Sequence, residues 1–340
     1  MATVALANIY NPLLFSAGAQ EASIINNRFL NSGILIQSGL LDSFASGNGN
    51  VAEIPFFGPL AEGAPNISSD NPATNSTPQN ITSTKMITRK FNNNQSWSVM
   101  DLANELSAID PVSAITGSIG KYWATDAEKI VINTLRGIMN DNIANDASDM
   151  VNVAASESIA GQSATTVITD NNVIDTIQTA GDHGDFATIV MHSVQFRALQ
   201  KSKLLDPVIY APNTENLRPI DVRTYLGMTV VVDDTSCAPR AGTTDGFAYP
   251  VYLLKSGAFG LGTGTAVTPS ELFRDPSSGN GGGQDILYSR VSRLIHPMGF
   301  QFTSASIAGV SPTYAELATA TNWDRVVDRK NVGMAVLEVN

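Results

Sequence analysis

One long apolar stripe constrains this chain more than any other feature. Ile115, Ile119, Tyr122, Trp123, Ala127, Ile130, Thr134, Leu135 and Ile138 recur at steps of three and four, the spacing that keeps side chains on one face of an α-helix. The pattern runs from about Val112 to Ile143. Asp110 opens it as N-cap, and Pro111 takes the first helical position, where its missing N–H leaves no bond unmade. At ~1.5 Å per residue the rod is more than about 40 Å long, which suits the spine of a subunit. Its aromatic and aliphatic members fit core packing better than a cofactor box.

A chain of 340 residues exceeds what one compact core holds, so two or three sub-domains are expected around that spine. Only 15% of residues are charged and 43% are apolar, with much of the remainder Asn, Ser, Thr and Gly. A surface so poor in charge suits extensive contact with other subunits. The net charge of -11 argues against a protein that grips nucleic acid, because binding phosphates takes Lys and Arg. It leaves room for a container whose acidic inner wall lets packed DNA move. Cys237 is the only cysteine, so no intrachain disulfide forms and a buried, inert thiol in a reducing compartment is expected. No cationic patch precedes Arg28, and Asn8, Asn11 and Pro12 interrupt any apolar leader. No run approaches the ~18 apolar residues of a membrane span. The expectation is a soluble product made inside the cell.

Residues 1–50 have the pattern of an extended arm with a helical piece around Glu21 to Leu30, closing on Gly47-Asn48-Gly49-Asn50. A strand follows over Val51 to Phe57, then a polar stretch holding Pro59, Pro65, Pro72 and Pro78, then alternation from Ile81 to Phe91. Two strands around such a tip make a protruding hairpin, which either swings free or lies on a neighbour. From Thr165 to Gly264 strands and helices alternate. Helices are expected near Asn171 to Ala180 and Ser193 to Lys201, with strands at Ala187 to Met191, Tyr225 to Asp233 bent at Gly227, and Tyr249 to Phe259. Ser277 to Gly283 has the composition of a linker. Strands resume at Ile286 and end with Val332 to Val339, so the spine and the final strands are expected to pack as one discontinuous domain.

Candidate chemistry is sparse. His183, His192 and His296 lack the spacing of a metal pair and any cysteine cluster. Gly260-Leu261-Gly262-Thr263-Gly264 lacks the Lys-Ser/Thr of a nucleotide loop and is expected to be a flexible turn. Asp182-His183 fits a turn. Asp233 and Asp234 are adjacent on a strand and so face opposite sides. The run Asp141 to Asp149 lacks the Gly and terminal Glu of a calcium loop, which leaves a solvated helix end. No catalytic, cofactor-binding or metal-binding residue is expected. A small-molecule hydrolase, the competing class, would need a concave cluster of titratable groups.

Against that background a collinear set of segments stands out. Asn26-Asn27-Arg28-Phe29-Leu30, Ile54-Pro55-Phe56-Phe57, Asn66 to Pro72, Trp97 to Ala103, Asp110-Pro111, Tyr122-Trp123-Ala124, Met191 to Lys201, Tyr225 to Asp234 and Asn322-Trp323-Asp324-Arg325 together resemble the major capsid proteins of tailed bacteriophages. The resemblance implies an α+β Hong Kong 97-type fold with N-arm, extended loop, peripheral domain with spine helix, and axial domain. The arm would be 1–50, the extended loop 51–98, the axial domain 166–285, and the peripheral domain 99–165 with 286–340. It also implies a structural, non-catalytic coat protein of the virion, assembled in the host cytoplasm. Self-association into pentamers and hexamers would build an icosahedral head around DNA bound without sequence specificity, with scaffolding, portal and decoration proteins as possible partners. In that fold the loop lies across a neighbouring subunit, and Lys85, Arg89 and Lys90 are the candidates for meeting its carboxylates. The covalent lysine-to-asparagine crosslinks of some relatives find no matching carboxylate here. An encapsulin-like compartment shell, which shares the fold, is the alternative.

Overall fold

A computed structural model describes residues 32–57, 60, 63–79, 83–101, 111–202, 206–208, 222–234, 237–241 and 245–340. The arm helix expected around Glu21 to Leu30 and the Asp110 cap lie outside them. The chain is a mixed helix and sheet protein, organised by the expected rod. Helix α2 spans Pro111–Asn145, 35 residues, or about 53 Å at ~1.5 Å per residue. Before it come β1 (Leu35–Gln37), α1 (Gly39–Ser46), β2 (Val51–Phe57), β3 (Ser83–Arg89) and β4 (Phe91–Met100). After it come β5 (Val151–Val153), α3 (Asp170–Gln178), β6 (Thr188–Met191) and α4 (Ser193–Ser202).

The remaining strands are β7 (Asp206–Val208), β8 (Val222–Tyr225), β9 (Met228–Val232), β10 (Arg240–Ala241), β11 (Phe247–Leu254), β12 (Phe259–Gly264), β13 (Ser270–Asp275), β14 (Gln284–Pro297), β15 (Phe300–Phe302), β16 (Trp323–Arg325) and β17 (Met334–Val339). An eight-stranded sheet runs β5-β17-β11-β6-β9-β8-β7, with β10 on β11. Period-two alternation splits its side chains between two cores. Val190, Tyr252, Leu254, Met334 and Val336 join Ile130, Val131, Leu135 and Ile138 of α2. Ile189, Met191, Val251, Leu253, Ala335, Leu337 and Val339 face Val173 of α3 and Phe196 and Leu199 of α4. The closing strand, expected beside the spine, therefore packs on it with one face while pairing with β11 and β5 inside this sheet.

The five-stranded sheet is organised by the 14 residues of β14. β12 and β13 pair end to end with β14, and β4 pairs with it over ten residues. Three sequence expectations change here. β4 was not legible as a strand, because Asn92-Asn93-Asn94-Gln95-Ser96 has poor strand propensity; pairing with β14 overrides it. The linker-like tract is the turn of the β13–β14 hairpin, with Gly279 and Asn280 at φ 65 and 56, left-handed values that glycine and asparagine tolerate best. The Gly260–Gly264 tract is no flexible turn but strand β12. Its alternate glycines lie under α1, where a Cβ on Gly262 or Gly264 would strike the backbone of Leu41 or Ala45. Similarly, Tyr225–Asp233 is not one bent strand: Leu226 and Gly227, at φ 49 and 79, make the two-residue turn of the β8–β9 hairpin.

Helix α2 bridges the two sheets. Its Ile119 and Trp123 pack on Leu287 of β14, Trp97 and Val291, while its later turns enter the core of the eight-stranded sheet. In its last third Gly137 allows Trp323 to lie across the helix, donating from Nε1 to the Leu317 carbonyl at 2.7 Å. A mid-helix glycine ordinarily costs about 0.5–1 kcal/mol against alanine, but here a Cβ would collide with that carbonyl and the indole. Gly137→Ala is expected to lower the urea midpoint of the unassembled chain, whereas Gly39→Ala in α1, with open space at its Cβ, should leave it unchanged or raise it. Equal effects of the two would refute the close approach.

Candidate functional site

Strands β2 and β3 pair from Val51↔Arg89 to Phe57↔Ser83 and form a sheet of their own. Residues 63–79 beyond them hold neither helix nor strand and are exposed throughout. Phe57, Leu60 and Ile67 stand 77%, 68% and 92% exposed, which leaves large apolar side chains in water. Only the inner face is covered: Ile54 and Met86 pack with Leu41 and Ala45 of α1 and Leu294 of β14.

The three cations singled out in the hairpin take different partners. Lys85 Nζ meets Glu53 Oε1 at 2.7 Å across the two strands, both side chains half exposed. Such a pair contributes about 0–1 kcal/mol. Arg89 donates to the Val310 carbonyl at 2.8 Å, to Ser304 Oγ at 3.0 Å and to the Gly309 carbonyl at 3.4 Å. Lys90 Nζ donates to the Gly47 carbonyl at 3.2 Å. Arg89 and Lys90 thus anchor the base of the hairpin to its own subunit, and Lys85 lies on its open part.

Below the hairpin a charge pair is sealed between α2 and β14. Arg293 and Asp126, 5% and 6% exposed, form an ion pair, and Arg293 Nη1 also donates to the Trp123 carbonyl at 3.0 Å. The Tyr314 hydroxyl bonds Asp126 as well, and Asn93 Nδ2 donates to it at 3.3 Å. Burial lowers the Arg293 pKa to about 10, so the guanidinium stays charged at neutral pH.

The Asp141 to Asp149 run is not merely solvated, as its sequence implied. Asp141 and Asn142 are buried, Asn142 Nδ2 donates to Asp149 at 2.7 Å, and Arg325 Nη1 reaches both Asp149 oxygens at 2.9 Å. The run closes the end of α2 onto β16. Asp233 is buried and Asp234 exposed, on opposite sides; Asp234 accepts from the Ser193 backbone at 2.8 Å, which holds its carboxyl below the usual range. The three histidines stay apart, and among the described residues no cluster of His, Cys, Asp or Glu could hold a metal. Among them, too, no helix is long and apolar enough to cross a membrane.

Comparison with known proteins gives the family of this chain. A family model described as Gp13-like, major capsid protein 13-like, matches residues 47–333. This chain belongs to the major capsid protein 13-like family. The major capsid protein of Bacillus phage SPP1 is 29% identical over 337 residues, spanning 98% of this chain and 97% of that one. In fold, the chain is similar to the capsid of Ralstonia phage GP4 at TM-score 0.54 and 13% identity, over 90% of this chain and 87% of that one. It is also similar to the cyanophage Pam1 capsid asymmetric unit at TM-score 0.53 and 15% identity, over 88% and 87%. The protein is thus a structural major capsid protein of a tailed phage, a component of the virion capsid and not an enzyme.

His296 of β14 is 1% exposed, and its Nε2 has no hydrogen-bond partner. Burial depresses its pKa to about 4 from the ordinary 6.5. The unfolded chain therefore binds a proton that the folded capsid protein refuses, so this contribution is complete above pH 6.5 and is lost as pH falls toward 4. The loss is on the order of 3 kcal/mol. Urea midpoints of the unassembled chain should fall through this window, and His296→Leu should flatten the fall. Identical profiles would refute the assignment.

Proposed function

We propose that this capsid protein is a Hong Kong 97-type shell subunit whose β2–β3 hairpin lies across a neighbouring copy, in pentamers and hexamers that close an icosahedral head around double-stranded DNA. One observation carries the reading: a hairpin whose tip is wholly exposed and whose outer apolar residues, Phe57, Leu60 and Ile67, have no cover within their own chain among the described residues. A subunit keeps such an element when the missing cover comes from another subunit. The arm is then 1–50 and the extended loop 51–98. The axial domain is 166–285, with the eight-stranded sheet as its body and β5 and β17 reaching into it. The peripheral domain is 99–165 with 286–340, built on α2 and β14, to which β4, β12 and β13 reach across.

Of Lys85, Arg89 and Lys90, the exposure of Lys85 best suits a contact with a neighbour's carboxylate, while Arg89 and Lys90 hold the hairpin at the angle that delivers it. A net charge of -11 and a surface sparse in cations suit a wall that encloses DNA without gripping it. Scaffolding, portal and decoration proteins complete the partner set, and assembly takes place in the host bacterial cytoplasm.

Size-exclusion chromatography with light scattering, then negative-stain microscopy, with and without coexpressed neighbouring genes, tests this. Closed megadalton shells, or rings of five or six, are expected. Lys85→Glu should cut shell yield while changing subunit stability by less than about 1 kcal/mol. A protein that stays monomeric or dimeric under both conditions would overturn the reading.

A further inference from the structure

Between Lys121 and Asn140 helix α2 meets solvent along one face only. Lys121, Thr125, Lys129, Asn133, Arg136 and Asn140 recur there at steps of four and three, exposed or half-buried, while every residue between them except Tyr122 is buried. Lys121 and Lys129 stand ~12 Å apart along the axis. The face carries three cations and no carboxylate, in a chain with 31 acidic residues against 20 basic ones. Asp126 and Glu128, the acids on this length, are each 6% exposed, and Asp126 is held by Arg293. Among the described residues Lys121 and Lys129 form no ion pair. Two ammonium groups without counter-charges on an acidic protein mark a surface for an anionic partner.

The remaining side chains of the face distinguish a phosphate backbone from an acidic protein. A protein interface is built round an apolar centre from which lysine is depleted. Here the one exposed ring, Tyr122, already packs edge-on against Trp97 and Trp123 at 5.4 and 5.1 Å. Asn133 Nδ2 donates to the Lys129 carbonyl and Asn140 Nδ2 to that of Ala318, which leaves each amide a second hydrogen. Ammonium, amide and hydroxyl donors in one row are the groups that hold phosphate oxygens without reading bases.

We propose that this face of α2 is turned to the inside of the head and that Lys121 and Lys129 contact phosphates of the enclosed duplex, with Asn133, Asn140 and the Tyr122 hydroxyl as further donors. The proposal rests on the reading that the shell encloses double-stranded DNA, and adds where its wall touches that DNA. Two lysines per copy release few counterions, so each contact is weak and salt-sensitive. Such a wall orders the outermost turns of DNA without arresting them.

The test is reductive methylation of lysines, with formaldehyde and a borohydride small enough to enter the shell, mapped by mass spectrometry. DNA-filled heads, heads emptied of DNA and DNA-free precursor shells are compared, with the exposed Lys201 as reference. Lys121 and Lys129 are expected to react several-fold more slowly in filled heads than in emptied ones, and the difference should shrink as salt is raised. Equal reactivity in filled and emptied heads overturns the proposal, whether both lysines are open or both are covered by a second copy. A slowing that salt does not change overturns it too. Protection confined to precursor shells assigns the face to an acidic scaffolding partner and likewise overturns it. In each of these cases the shell reading stands, whereas failure of the chain, with its neighbouring genes present, to form heads that package DNA overturns both.

Discussion

A charge pair sealed between a helix and a strand ties this capsid protein together. Arg293 and Asp126, both nearly buried, bind α2 to β14, and the Trp123 carbonyl, Asn93 and Tyr314 add further bonds to the same two groups. A buried pair of this kind gains little over an apolar contact, but either charge alone would be strongly unfavourable, so it fixes one register of helix on strand. β14 carries β4, β12 and β13, and α2 continues from it into the core of the second sheet.

The two sheets share one buried core with the rod: Phe259, Leu261 and Ile295 of the five-stranded sheet and Tyr252, Leu254 and Val336 of the eight-stranded sheet belong to the same cluster as Ile130 and Leu135 of α2. Trp323 crosses α2 at Gly137, and Arg325 closes the acidic end of the same helix through Asp149. Both come from the Asn322-Trp323-Asp324-Arg325 segment, so the last part of the chain locks the C-terminal end of the spine. The hairpin gains nothing comparable. Arg89 and Lys90 hold its base, and its outer residues remain for a partner.

What the sequence revealed depended on whether the cause was local. Helix α2, helix α4 and strand β6 follow from periodicity, because a single face or a continuous apolar run determines them. β4 and β12 do not. An asparagine run and an alternating glycine run have weak strand propensity, and both become strands through β14 and α1, far away in sequence. The acidic run looked solvated because its partner Arg325 stands 176 residues from Asp149. The hairpin was legible from its prolines and polar tip, whereas the anchoring of Arg89 by residues 304–310 was not. The family resemblance rested on collinear segments, several of which, such as Tyr122-Trp123 and Asn322 to Arg325, sit where α2 meets its neighbours.

A polar hairpin that its own subunit cannot cover is the central claim, and an electron cryomicroscopy reconstruction of the assembled shell tests it most directly. The account predicts density for residues 63–79 lying against an adjacent subunit, with Phe57, Leu60 and Ile67 withdrawn from solvent. Density that shows the hairpin folded on its own subunit, or projecting free from a closed shell, would contradict it.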